Sequence, residues 1–143
     1  MSLYRHILLV VDLTEDSLAI GRKAKAMADV LGAEVELLHV VEFVPVEPMG
    51  ETLMPAVQMQ EDLMERSQKR LTALAIELGL AGSACRVESG NVKSEIVRVA
   101  REHKADLIII GSRERHGLSI LVNLTEDTVL HAAPCDVLAM RAR

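Results

Sequence analysis

The stretch HILLVVD, residues His6–Asp12, decides the fold. It is a continuous run of apolar residues that favour β-strands. A strand with one face in water would instead alternate apolar and polar residues. A run without alternation is typical of a strand that is buried on both faces, as in parallel sheets covered by helices. Four further strands are predicted at Glu34–Phe43, Ala84–Gly90, Ala105–Gly111 and Cys135–Met140.

Segments with helical apolar spacing separate these strands. The predicted helices are Thr14–Gly32 with Thr14 as N-cap, about Val57 to Leu80, a segment capped by Asn91, and Asn123–Pro134. The stretch Val44–Pro55 holds three prolines and one glycine, which predicts a flexible loop. The alternating order predicts an α/β fold: a doubly wound five-stranded parallel sheet with helices on both faces, in a single domain over residues 1–143.

Composition excludes several classes of protein. The net charge of -5 argues against a nucleic-acid binder, and with only Tyr4, Phe43 and no tryptophan the chain lacks platforms for base stacking. No apolar run reaches the roughly 18 residues of a membrane span. Cys85 and Cys135 form no CxxC pair, so we expect buried thiols in a reducing cytoplasm rather than a disulfide or a metal site.

The loops after the strands are where a ligand is expected, because doubly wound sheets bind ligands beyond the carboxyl ends of their strands. Asp12 ends the first strand, and Gly111 directly follows the apolar run Leu107–Ile110. A glycine between a strand and a helix lets the backbone approach a phosphate, and the free N–H groups of the helix start attract the anion.

Five segments of the chain resemble those of a known protein family. They are HILLVVDLTEDS, ELLHVVE, SGNVKSEIVRVA, DLIIIGSRERHGL and PCDVLAMR. In order and spacing they resemble the universal stress protein family over nearly the whole chain. The resemblance implies a five-stranded doubly wound α/β domain that is cytoplasmic and usually a homodimer. Some members of the family bind ATP through a glycine signature, G-x2-G-x8or9-G-(S/T), that wraps the phosphates, and others do not.

This chain matches that signature only in part. Gly111 with Ser112 fits its start, but Glu114 and Asn123 stand where the second and third glycines would fall. A carboxylate about 4 Å from a phosphate would cost about 4 kcal/mol at an effective dielectric of roughly 20. Asn123 and Glu126 also form a capping box, which would occupy the N–H groups that a phosphate needs.

The resemblance and the strand ends together give the residues of a candidate nucleotide site. They are Val11, Asp12, Val40, Gly111, Ser112, Arg113, Arg115, His116, Gly117 and Thr125. The basic residues among them could clamp a phosphate. The competing interpretation is a solvated loop whose charges pair with one another, and a capping role for Asp12 is compatible with either.

No catalytic or metal-binding residue is predicted. His39 lies inside a predicted strand, so we interpret it as a histidine packed in the core. His6, His103 and His131 are far apart in the sequence and lack the spacing of metal ligands. A phosphoryl-accepting receiver domain would need paired acids after the first strand, and a nucleotidyl-transfer enzyme would need a second phosphate motif there. The segment VVDLTEDS supplies neither.

The sequence therefore predicts a non-enzymatic cytoplasmic stress-response protein without a cofactor, with weak or absent ATP binding. The alternative is an ATP- or AMP-binding regulator. The apolar last strand, CDVLAMRAR, is expected at an edge of the sheet, where it would pair with a second copy in a homodimer. The long helix after Val57 is the alternative interface, and any further protein partner is not named by the sequence.

Overall fold

The computed structural model describes residues 3–42, 53–112, 129 and 131–142. The strands and helices are β1 His6–Val10, α1 Ser17–Leu31, β2 Glu34–Glu42, α2 Leu53–Glu77, β3 Cys85–Gly90, α3 Val92–Glu102, β4 Leu107–Ser112 and β5 Asp136–Arg141. Val129, His131 and Ala132 are helical as well. None of the helices in these ranges is both long enough and apolar enough to cross a bilayer.

All five strands are parallel and lie in the order β3-β2-β1-β4-β5. This confirms the predicted doubly wound sheet. β1 is central, with Ile7 beside Val35 of β2 on one side and beside Leu107 of β4 on the other. The strand order reverses between β1 and β4, which places the switch point there, while β3 and β5 are the two edges.

The sheet is buried on both faces, which explains the lack of alternation in β1. Leu8 and Leu9 point to opposite faces, and both are 0% exposed. Leu9 packs in the cluster that includes Ala24 of α1 and Leu71 of α2. Leu8 packs in the opposite cluster, which includes Ile96 of α3. Each buried aliphatic side chain of this kind contributes about 1.5–3 kcal/mol through removal from water.

Two predicted helix ends are confirmed. Gly32 adopts a left-handed conformation with φ of 65° after α1, where a side chain would be strained. Asn91 caps α3, because its side-chain oxygen accepts the backbone N–H of Ser94 at 3.0 Å.

Two predicted boundaries were wrong. α1 begins at Ser17 rather than after Thr14, because the N–H and hydroxyl of Thr14 both bond to Asp12 and keep the chain in a turn. The predicted loop Val44–Pro55 ends too late, since α2 begins at Leu53. Proline is compatible with the first turn of a helix, where its missing N–H has no intrahelical partner to lose.

Several further predictions fall outside the described residues. They concern the predicted loop before residue 53 and the start of the last helix, including the capping box of Asn123 and Glu126. Near the end of that last helix, Val129 is helical and fully buried, and the Ala133 N–H donates to its carbonyl at 2.9 Å. The described part of the last helix therefore packs on the α3 side of the sheet.

Candidate functional site

The candidate site is the crevice at the carboxyl ends of β1 and β4. Val10 lies beside Ile110 in the sheet, so the chain leaves β1 through Val11 and Asp12 next to Gly111 and Ser112 of β4. The topology thus brings together residues from the two parts of the predicted site. This is the position where doubly wound proteins bind ligands.

Asp12 shapes the turn that leads from β1 into α1. Its Oδ1 atom accepts three hydrogen bonds, from the Thr14 N–H at 3.1 Å, the Thr14 hydroxyl at 2.7 Å and the Ser17 hydroxyl at 3.0 Å. Asp12 is exposed, whereas Ser17 is buried. Asp12 is therefore a turn residue, as the sequence suggested, and these bonds engage one oxygen of its carboxylate. The N-cap position of α1 is Asp16, whose side chain makes no cap hydrogen bond.

The segment Val11–Leu13 is held in place by side chains from two other elements. The His39 ring nitrogen Nδ1 lies 2.8 Å from the Val11 carbonyl oxygen, to which a ring N–H donates. The Arg70 guanidinium of α2 donates to the Leu13 carbonyl. Leu13 has φ of 56°, in the left-handed region that a non-glycine residue adopts at a cost. The surrounding contacts therefore fix this loop before any ligand arrives.

His39 is half-buried and bonded to backbone, in agreement with the interpretation of a packed histidine. Arg70 was missed by sequence reasoning. Nothing in the helical pattern of α2 distinguishes it from the neighbouring basic residues of that helix, so only the packing of α2 against the β1 loop identifies it.

Gly111 has a packing role of its own. A Cβ atom at this position would lie 2.7 Å from Cδ1 of Ile20, a residue of α1 that is 4% exposed. The absence of a side chain therefore lets α1 approach the end of β4. A glycine at this position is explained by helix packing alone, so it is weaker support for a phosphate site than the sequence suggested.

Other predicted site residues divide into two groups. Val11 and Val40 are buried at 4% and 8% exposure, so their side chains belong to the core and only their backbone could meet a ligand. The remaining ones lie outside the described residues; they are Arg113, Arg115, His116, Gly117 and Thr125.

A second polar cluster lies at the opposite end of the sheet, and the sequence did not predict it. Glu36 of β2 is 3% exposed. Its Oε2 atom lies 3.1 Å from Nε2 of His6, and its Oε1 atom lies 2.7 Å from Nδ1 of His103. Arg86 of β3 approaches the same carboxylate at 3.9 Å. The histidines that look scattered in the sequence thus converge on one buried acid.

This cluster is an ion-pair and hydrogen-bond network, not a metal site. Within the described ranges, no group of three or more histidine, cysteine or acidic side chains has an arrangement that could hold a metal ion. The signal that could have revealed the cluster is Glu36 itself, a charged residue between the apolar residues Val35 and Leu37 inside a strand. Charges buried in a strand need partners.

Neither cysteine is arranged as a nucleophile. Cys85 and Cys135 are free thiols and are half-buried, rather than fully buried as the sequence suggested. Burial raises the pKa of both thiols, with the nearby Asp136 adding to the effect at Cys135. A raised pKa lowers the fraction of reactive thiolate at neutral pH.

The fold and the crevice define a doubly wound, Rossmann-like α/β protein. The family model described as the Universal stress protein family matches residues 3–141. The chain therefore belongs to the universal stress protein family.

Similar proteins agree with this assignment. Universal stress protein A homolog 2 of Coxiella burnetii is 33% identical over 144 residues, covering 100% of this chain and 99% of that protein. The structure of universal stress protein UspA from Lactobacillus plantarum superposes with a TM-score of 0.74 at 23% identity, covering 96% of this chain and 98% of the other. A universal stress protein in complex with cAMP gives a TM-score of 0.65 at 17% identity, with 100% of both chains covered.

Proposed function

We propose that this protein is a non-enzymatic, cytoplasmic stress-response protein that acts as a homodimer, binds ATP weakly or not at all, and works through a protein partner. The observation that carries the weak-binding proposal is the packing of Gly111, the one signature glycine that remains, because a Cβ atom there would lie 2.7 Å from Cδ1 of Ile20 and helix packing alone explains the glycine. The substitutions of signature glycines at Glu114 and Asn123 support it from the sequence.

The homodimer proposal is supported by the contrast between the two sheet edges. β3 carries Arg86 and Glu88, which pair at 3.2 Å, and Glu88 also pairs with Arg98 of α3 at 3.3 Å. Charges of this kind protect an edge from pairing. β5 offers the apolar or small residues Val137, Leu138 and Ala139, which are partly or fully exposed. Two-fold symmetry would pair two copies of β5 in antiparallel fashion.

A second candidate function is a nucleotide-dependent regulator that binds ATP or AMP. It is favoured by the position of the Val11–Leu13 loop at the switch point, where His39 and Arg70 already hold it in place. The relative that is in complex with cAMP shares the fold of this chain. In this candidate, backbone groups of Val11 and Val40 and the loop after Gly111 would contact the nucleotide.

Titration calorimetry separates the two candidates. With Mg-ATP or AMP, the proposal expects no dissociation constant tighter than about 100 μM, which corresponds to roughly -5.5 kcal/mol. A low-micromolar constant would favour the nucleotide-dependent regulator instead. The double variant Glu114→Gly with Asn123→Gly should bind more tightly than the wild type, because it removes the carboxylate and the cap that the sequence predicts as competitors of a phosphate. The double variant Glu61→Gly with Asn91→Gly, which changes the same residue types away from the signature, is the matched control.

Two further measurements test the remaining parts of the proposal. Light scattering should give about twice the chain mass of 15.7 kDa. Incubation with Mg-ATP should release no phosphate above the rate of a buffer blank, and turnover proportional to protein concentration would contradict the non-enzymatic assignment.

A further inference from the structure

An apolar groove of about 680 Å³ runs beside the edge strand β5, at the opposite end of the sheet from the crevice. It lies between the C-terminal half of α1 and the first residues of β5. Its apolar lining includes Leu3, Met27, Val30, Leu31 and Leu138. Leu3 and Val30 are 76% and 88% exposed, so large apolar side chains face water in the isolated chain.

The groove is continuous with the edge that we propose pairs with a second copy. Side chains of β5 alternate between the faces of the sheet, and Leu138 packs with the α1 side whereas Val137 packs with the α3 side. Asp136 lies on the α1 side too, where its carboxylate accepts the Tyr4 hydroxyl at 2.7 Å. Antiparallel pairing of two β5 strands keeps each face continuous across the junction.

Opposite charges mark the two ends of this strand. At the C-terminal end, Lys23 of α1 donates to the Arg141 carbonyl at 2.9 Å. At the N-terminal end lies the Asp136 carboxylate. In an antiparallel pair, the C-terminal end of one strand lies beside the N-terminal end of the other. Lys23 of a second copy therefore comes to the Asp136 end of the first, and the same contact forms again by symmetry.

We propose that this groove is the second part of the homodimer interface, occupied by the α1 helix and the β5 end of a second copy, with an ion pair from Lys23 to Asp136 across the junction. The inference rests on the proposed homodimer and adds to it a specific surface. A stable interface buries about 1,200–2,000 Å² in total. The groove supplies apolar area beside the short strand seam, and the two ion pairs fix the antiparallel orientation.

The apolar part is tested by sedimentation equilibrium of single variants. Leu3→Asn and Val30→Asn each remove an exposed apolar side chain from the groove and should weaken dimerisation about tenfold or more. Ile76→Asn is the matched control, because Ile76 is 61% exposed on α2, away from the groove lining. Its dimer dissociation constant should equal that of the wild type. Equal constants for all the variants and the wild type would overturn the groove proposal.

The ionic part is tested by charge exchange. Lys23→Asp and Asp136→Lys should each weaken the homodimer, because like charges then meet at both junctions. A 1:1 mixture of the two variants should form a heterodimer, in which both junctions again join opposite charges. Local damage to either variant cannot produce this selective rescue. A mixture that stays monomeric, or that shows no preference for the heterodimer, would overturn the ion pair.

The outcomes separate this inference from the proposal on which it rests. A wild-type protein that is monomeric at micromolar concentration would refute the homodimer itself. A wild-type dimer that tolerates Val30→Asn and shows no charge rescue would leave the homodimer intact and refute the groove as its surface.

Discussion

At the scale of single residues, Glu36 shows how one buried acid can organise several elements. It lies in β2 and contacts His6 of β1 and His103 at the end of α3, with Arg86 of β3 nearby. A carboxylate with 3% exposure is stable only when such partners replace the water that it lost. The contacts also tie the end of α3 to the sheet at the end opposite the crevice.

Replacing Glu36 should therefore destabilise the fold. Glu36→Ala is expected to lower the free energy of unfolding by about 2–4 kcal/mol, because the partners lose their acceptor and a cavity remains. Urea denaturation measures the change. Glu34→Ala is the control, since the Glu34 side chain is 88% exposed although it also lies near His6 at 3.9 Å, and it should change the value by no more than about 0.5 kcal/mol. Equal losses would contradict the role of the buried acid.

Tyr4 allows a direct measurement of one contact. The hydrogen bond to Asp136, aided by partial desolvation, raises the pKa of Tyr4 above its ordinary value near 10, because the neutral phenol can donate and the phenolate cannot. Tyr4 is the only tyrosine and the chain has no tryptophan, so phenolate absorbance reports on it alone.

The titration midpoint of Tyr4 should therefore fall toward 10 in Asp136→Ala. It should stay unchanged in Asp29→Ala, which removes an exposed carboxylate from α1 that pairs with Lys25. An unchanged midpoint in Asp136→Ala would show that the hydrogen bond does not form in solution.

At the scale of elements, α2 joins the carboxyl ends of β1 and β3. Arg70 donates to the Leu13 carbonyl in the loop after β1. Ten residues earlier, the Gln60 side-chain amide donates to the Ser89 hydroxyl of β3 at 2.6 Å. The same helix packs Leu71 and Ala75 into the core. Its position therefore sets the geometry of the loops around the crevice.

Removing the contact from α2 to the β1 loop should cost stability. Arg70→Met is expected to lower the free energy of unfolding by about 1 kcal/mol, because the carbonyl of the buried Leu13 loses its donor. Arg66→Met, one turn earlier on the same side of α2 and exposed like Arg70, should have an effect below about 0.5 kcal/mol. Chemical denaturation of both variants measures the two changes in the free energy of unfolding. A larger decrease in Arg66→Met than in Arg70→Met would refute the role given to Arg70.

At the scale of the whole molecule, the sheet has two unlike edges, and the proposed homodimer is argued from this difference. The β3 edge carries charges along its length, whereas the β5 edge is apolar between its two charged ends and adjoins the groove. If the dimer forms as proposed, folding and association are coupled, because the dimer is the most stable folded form.

The thermal midpoint should therefore rise with protein concentration, by about 2 °C for each tenfold increase in a dimer of this size. Scanning calorimetry over a hundredfold range of concentration measures the slope. Val30→Asn should lower the midpoint most at the lowest concentration, where the dimer dissociates first. A midpoint that is independent of concentration throughout the range would contradict coupled association.

The sequence by itself determined the class of fold. Apolar runs such as HILLVVD identify strands through the composition of a few adjacent residues, and Gly32 and Asn91 mark helix ends through their own conformational and hydrogen-bonding preferences. These signals are local, so they can be read without knowing which elements touch. The family resemblance and the crevice at Asp12 and Gly111 followed from the same kind of signal.

Only the tertiary structure decided which distant side chains meet. Glu36 and His103 are 67 residues apart, Leu13 and Arg70 are 57 apart, and Tyr4 and Asp136 are 132 apart. In any other packing the side chains among them would have other partners, and the Leu13 carbonyl would be an ordinary backbone group. Their partners are set by the strand order and by the faces on which the helices lie, and no local pattern encodes those. The groove beside β5 has the same origin, because it exists only where α1 passes the edge of the finished sheet.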